Sequence, residues 1–257
     1  MTVISFFVRS KIWVALAALV MSLESGCLLQ DDLQWFNALQ IFFIALVGYL
    51  FLDHAHIGSR KPIVYFALTG TVFCFLIKPD QNYLLLLLSA TIVATYSLDW
   101  FPESKRKLKV LEWRKIPIVK NMVIAICWTI LTIGLNLNYS DWFEVNVYSF
   151  AIVQFLLVFS LSIAEDIIDQ PLDRFKTIPS MLGTRMSKFL AFSIAALAMF
   201  FYFLNTQDEK IQWSILIVTI SLALVIALIS PNKKRDLQSF AIDGIIILKS
   251  CLICFWC

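Results

Sequence analysis

Three carboxylates, Asp166, Asp169 and Asp173, stand at i, i+3 and i+7 directly after a long apolar run, Val147 to Ala164. On a helix these offsets return to nearly one face, so all three can point at one spot. Pro171 falls inside the stretch and can end the helix there, which would put Asp173 in the following loop. Carboxylates gathered at a membrane boundary repel one another unless a cation sits between them. A hard divalent cation with oxygen ligands, most simply Mg2+, meets that need. Arg174 and Lys176 follow at once and suit an anionic group such as a diphosphate. The same spacing also fits a solvated acidic loop beside a transmembrane helix.

Two other polar stretches carry chemistry. In Leu52 to Pro62, Asp53, His54 and His56 could be ligands or proton carriers, and Arg60 and Lys61 could hold an anion. A polar turn with interfacial anchors is the other reading. The stretch from Tyr96 to Asn121 includes Lys105-Arg106-Lys107 and Arg114-Lys115, and its simplest role is contact with anionic lipid headgroups. Lys120 and Asn121 stand apart, because they begin an apolar span. A lysine there either snorkels to the interface or faces a buried anion.

The elements that must position these groups are membrane spans. Of 257 residues, 60% are hydrophobic, with a mean hydropathy of +0.81, far above a soluble protein. One integral-membrane domain over residues 1–257 is expected, with no nucleic-acid partner. Nine apolar spans run from Val3 to Met21, Trp35 to Leu52, Pro62 to Ile77, Tyr83 to Leu98, Ile118 to Leu135, Val147 to Ala164, Phe189 to Asn205, Ile211 to Ser230 and Leu237 to Cys257. No cleavable signal peptide is read in the first run. The six cysteines show no disulfide framework. Cys251, Cys254 and Cys257 read as small apolar helix residues rather than metal ligands.

Lysine and arginine collect in alternate loops, around residues 60–61, 105–120, 174–188 and 233–235, with Arg9 and Lys11 on the same side. The opposite loops hold Lys78 and Lys210 and carry acidic residues, among them Glu24, Asp31, Asp32, Asp208 and Glu209. The positive-inside rule then places the N-terminus and the motif loops in the cytoplasm and the C-terminus outside. No span outside the motif regions presents a convincing polar pathway, which argues against a transporter.

These residues resemble the UbiA-type intramembrane prenyltransferases. Asp166-Ile167-Ile168-Asp169 with Asp173, then Lys176-Thr177-Ile178-Pro179 and Leu182-Gly183, is similar to the second Asp-rich motif of that family. Tyr96-Ser97, the basic cluster, and Ile116-Pro117 to Lys120-Asn121 resemble its loop between the fourth and fifth helices. Asp243-Gly244 in the last span is another shared feature. The first Asp-rich motif is reduced here to Asp53 with His54 and His56. A glycine expected between Asp173 and Lys176 is absent.

The resemblance implies an all-α bundle of nine transmembrane helices in a membrane such as the bacterial inner membrane. It implies transfer of a prenyl group from an isoprenoid diphosphate to a lipophilic, aromatic or quinone-type acceptor. Asp166, Asp169, Asp173 and Asp53 would hold Mg2+. Lys176, Lys120, Arg60, Lys61, Asn121 and Tyr96 would meet the substrate. A non-catalytic isoprenoid-lipid binder, or a cyclase acting on the diphosphate alone, would suit the reduced first motif. The orientation has a direct check. Val110→Cys in an otherwise cysteine-free chain is expected to resist a membrane-impermeant thiol reagent added from outside, and labelling from that side would overturn the orientation.

Overall fold

The computed structural model describes residues 3–30, 34–52, 61–77, 85, 87–89, 91–92, 116–137, 144–172, 176–231 and 233–256. Nine helices have bounds among them: α1 (Val3–Arg9), α2 (Ile12–Gln30), α3 (Trp35–Leu52), α4 (Lys61–Ile77), α5 (Pro117–Gly134), α6 (Val145–Asp169), α7 (Ile178–Asn205), α8 (Glu209–Leu228) and α9 (Arg235–Trp256). Six of them, α2 and α5 to α9, are long and apolar enough to cross a membrane. Shorter apolar stretches occupy α3 and α4. The molecule is thus an all-α integral membrane protein. The fourth expected span, Tyr83 to Leu98, lies largely outside the described residues.

Local chemistry explains several boundaries. Pro117 sits in the first turn of α5, where its missing N–H costs nothing. Asp208 caps α8, its Oδ1 accepting from Lys210 N at 2.7 Å. Before α7, the Ser180 hydroxyl accepts from Thr177 N at 2.8 Å, and Pro179 stands in the first turn. Gly183 then breaks the helical path of α7 with φ 77 and ψ 160.

Two span expectations need correction. The run from Val3 to Met21 is not one helix. It breaks at Ser10 and Lys11, where Lys11 takes φ 63, and the membrane helix is α2, displaced toward the C-terminus. The seventh span begins at Ile178 rather than Phe189, because the polar segment before Phe189 continues the helix beyond the Gly183 kink. The cysteines also differ from expectation in one respect: Cys27 is disulfide-bonded, while Cys74, Cys127, Cys251 and Cys254 are free.

Packing follows small residues. Ala191, Ala195 and Ala198 of α7 are fully buried and spaced four and three apart. They let the α6 backbone approach closely, and Ser160 of α6 donates to the Ala191 carbonyl at 2.6 Å. Helix α2 packs on α3, α5 and α9, and α6 packs on α5, α7 and α9.

A further correction concerns charge. Glu24, read as an acidic loop residue, lies inside α2 and is fully buried. It pairs with Lys249 of α9, also fully buried, through contacts of 2.7 and 2.5 Å. Ser250 donates to the same carboxylate at 2.6 Å and Tyr202 of α7 at 2.9 Å. Polar groups therefore do occupy the spans, but this set is closed on itself and lines no cavity described below. Removing one partner of such a pair leaves a buried bare charge and costs about 3–5 kcal/mol, whereas replacing both is far milder. Lys249→Met is expected to lower the thermal unfolding midpoint in detergent strongly. The double variant Glu24→Gln with Lys249→Met is expected to recover most of that loss.

Candidate functional site

Helix polarity brings the charged stretches to one end of the bundle. The first turns of α2, α5 and α9 and the last turn of α6 meet there, beside α1. They enclose a cavity of about 1690 Å3. Its far wall is apolar, with Ile41, Ala45 and Gly48 from α3, Leu131 from α5, and Val158 and Leu161 from α6. Tyr49 and Trp128 also face it, joined by a hydrogen bond from the indole N–H to the tyrosine hydroxyl at 2.9 Å. Its near end carries Lys120, Glu165, Asp166, Asp169, Arg235 and Asp243.

The arrangement of α6 supplies the acidic side. Its 25 residues rise about 37 Å at 1.5 Å per residue, enough to cross the hydrocarbon core and bring the last turn to the polar boundary. Glu165, Asp166 and Asp169 all fall in that last part, so Asp166 and Asp169 project into one neighbourhood. Asp166 is almost wholly buried. Lys120 donates to its Oδ1 at 2.5 Å and Asn121 to its Oδ2 at 3.0 Å. Asp169, one turn on, accepts from Arg235 Nε at 2.6 Å and from Arg235 Nη2 at 3.0 Å. Glu165 accepts from the Ser239 hydroxyl at 3.0 Å.

The expected site residues divide accordingly. Asp166, Lys120 and Asn121 come together, but the lysine and the amide hold the carboxylate. Lys176 is exposed at the turn before α7 and does not line the cavity. Lys61 opens α4. Asp53, His54, His56, Arg60, Tyr96 and Asp173 lie outside the described residues. Arg235 was not among the expected site residues. Its basic character just ahead of an apolar run is the signal the sequence offers for it. Asp243, noted in the last span, does reach the cavity.

Among the described residues, no group of three His, Cys, Asp or Glu side chains is placed to hold a metal ion. Asp166 is held by Lys120 and the Asn121 amide, and both oxygens of Asp169 by Arg235. Of the four residues expected to hold Mg2+, Asp166 and Asp169 are described, and Asp53 and Asp173 lie outside the described residues.

Helix α1 closes the mouth. Lys11 and Arg9 line the cavity, and Arg9 pairs with Asp236 at 2.9 Å. Trp13 stacks on Phe240 with ring centroids 4.2 Å apart and donates to the Phe240 carbonyl at 2.9 Å. These contacts seat the start of α2 against the start of α9.

The fold and site together define an all-α membrane protein with a large amphiphilic cavity. A solved structure concerned with digeranylgeranylglyceryl phosphate synthase in membranes is similar to this chain. The match has 16% sequence identity, covers 98% of this chain and 96% of the other, and gives a TM-score of 0.55. At that identity the likeness is one of fold. No known family profile matches the chain, and no curated protein matches it.

The Asp166 pairing has a measurable consequence. Lys120→Met leaves a buried carboxylate with one amide donor, at a cost of about 1–3 kcal/mol. Its unfolding midpoint is expected to fall, and adding Asp166→Asn is expected to restore part of it. Equal midpoints for Lys120→Met and the parent chain would show that the pair is energetically idle.

Proposed function

We propose that this protein is an intramembrane transferase that moves a prenyl group from an isoprenoid diphosphate to a lipophilic acceptor, of aromatic or quinone type. The observation that carries the reading is the cavity: an apolar interior continuous with an end that bears lysine and arginine. An amphiphile with a long hydrocarbon tail and an anionic head matches both parts. The fold likeness to a digeranylgeranylglyceryl phosphate synthase, whose name describes a product carrying prenyl chains, supports the same class.

The residues present suit the chemistry of such a donor. Breaking the allylic carbon–oxygen bond leaves the electron pair on the diphosphate. Cationic groups at that end stabilise the developing charge, in a site shielded from bulk water. Lys120 and Arg235 are the described cations nearest to the carboxylates. Tyr49 and Trp128 offer aromatic surface on the tail side, which favours an allylic cation. The acceptor would then bond to that carbon and release a proton.

One observation favours a second reading, a relative that binds an isoprenoid lipid without turning it over. Asp166 and Asp169 are each closed by a basic partner rather than left for a metal. A single assay separates the readings. Purified protein is incubated with a panel of allylic diphosphates, with and without an acceptor quinone or phenol, in Mg2+ and in EDTA. Acceptor-dependent pyrophosphate release supports the transferase. Release without an acceptor would point to a cyclase. Tight binding with no release anywhere on the panel would establish the binder.

A further inference from the structure

The cavity ends where the bundle turns polar. Its lining runs from Asp169 to Val158 on α6, from Lys120 to Thr132 on α5 and from Arg235 to Ile246 on α9. At 1.5 Å per residue these runs agree on a depth of about 16–18 Å. One turn further on, each of these paths reaches polar side chains: Gln154 on α6, Asn136 after α5, and Lys249 and Ser250 on α9. Helix α2 lines the cavity as deep as Ala18, and its next turn brings Ser22. On α3, Gln40 stands beside Ile41, the deepest lining residue of that helix. All of these polar side chains are buried.

Hydrogen bonds tie the layer together across helices. Asn136 Nδ2 donates to the Ser22 carbonyl at 2.8 Å and to the Ser22 hydroxyl at 2.9 Å. Gln154 Nε2 donates to the Ser25 hydroxyl at 3.2 Å, and Lys249 and Ser250 both donate to Glu24. Gln40 differs. It is fully buried, and among the described residues neither its amide nitrogen nor its carbonyl oxygen has a hydrogen-bond partner. The Gln154 carbonyl is unpartnered as well. A buried amide in that condition is costly, and hydrocarbon placed against it cannot relieve the cost.

We propose that this layer, through Gln40 and Gln154, is a polar floor that sets the longest isoprenoid tail the protein accepts. The proposal rests on the amphiphile reading above and specifies how far the tail reaches. With the head at the charged end, the tail runs between apolar walls toward the floor. With carbon–carbon bonds of about 1.5 Å in a zigzag, one extended isoprene unit reaches about 5 Å. The depth then holds about three to four units, a C15 or C20 tail. A longer tail must press its end against amides it cannot satisfy. It must also part helices that the layer's hydrogen bonds hold together.

The test varies the tail at a constant head. Thiolodiphosphate analogues with C15, C20, C25 and C40 tails compete against a labelled C15 analogue for the full-length protein in detergent with Mg2+. The C15 and C20 analogues are expected to compete equally well, and the C25 and C40 analogues at least about tenfold more weakly. Gln40→Ala removes no hydrogen bond and opens space at the floor, so it is expected to restore competition by C25 but not by C40. Gln154→Ala supplies an independent opening of the floor should Gln40→Ala fail to fold. Equal competition by C40 and C20 for the parent chain would overturn the proposal while leaving the prenyl-transfer reading in place. An unchanged length preference in both variants would do the same. Absence of binding of every analogue by the parent chain would overturn the amphiphile reading itself, and this proposal with it.

Discussion

A charge enclosed by an apolar bundle must meet an opposite charge, because the surrounding medium screens it so little. Glu24 and Lys249 satisfy that demand on each other, with Ser250 and Tyr202 completing the hydrogen bonds. The contact fixes the register of α2 on α9 and draws in α7. Sliding either helix by a single turn would strand a bare carboxylate and a bare ammonium. With that register set, the starts of the same two helices also meet, at Trp13 and Phe240 and at Arg9 and Asp236. The cavity mouth is built from those starts, so its shape depends on a pair about 20 Å deeper in the bundle, by helical rise.

The same rule operates at the charged end with a different outcome. Glu24 and Lys249 are sealed and use their capacity on each other. Lys120 and Arg235 pair with Asp166 and Asp169 beside a cavity and stay partly exposed. Burial therefore separates two kinds of ion pair in one molecule. One kind is sealed between helices, and the other stands at the cavity boundary. Helix α6 joins the two regimes: its middle packs on α7 through Ser160, and its last turn carries Glu165, Asp166 and Asp169.

Hydropathy made the helical membrane class legible, because a run of apolar side chains long enough to span hydrocarbon has few other stable uses. The acidic end of α6 and its neighbours Lys120 and Asn121 were legible too, as polar groups in costly positions. What these groups meet was not. Asp166 and Lys120 are 46 residues apart, and Asp169 and Arg235 are 66 apart, so their pairing exists only once α5, α6 and α9 are packed. The break at Lys11 is not legible in the sequence, because nothing in the residue type announces a left-handed lysine. That single dihedral shifted the first membrane helix and carried Glu24 from an imagined loop into the core. A lone glutamate in one apolar run and a lone lysine in another were the available signs of their contact.

Gly183 gives a different meaning to part of the sequence signature. Its φ of 77 and ψ of 160 belong to a region closed to residues with a Cβ, yet a Cβ there would meet no neighbouring atom within 4 Å. The backbone alone demands glycine. The Leu182-Gly183 pair, part of the sequence's resemblance to the UbiA-type pattern, therefore marks the path taken by α7. A likeness traced through it reports a backbone path, and any chemistry has to be read from the cations and carboxylates at the cavity mouth.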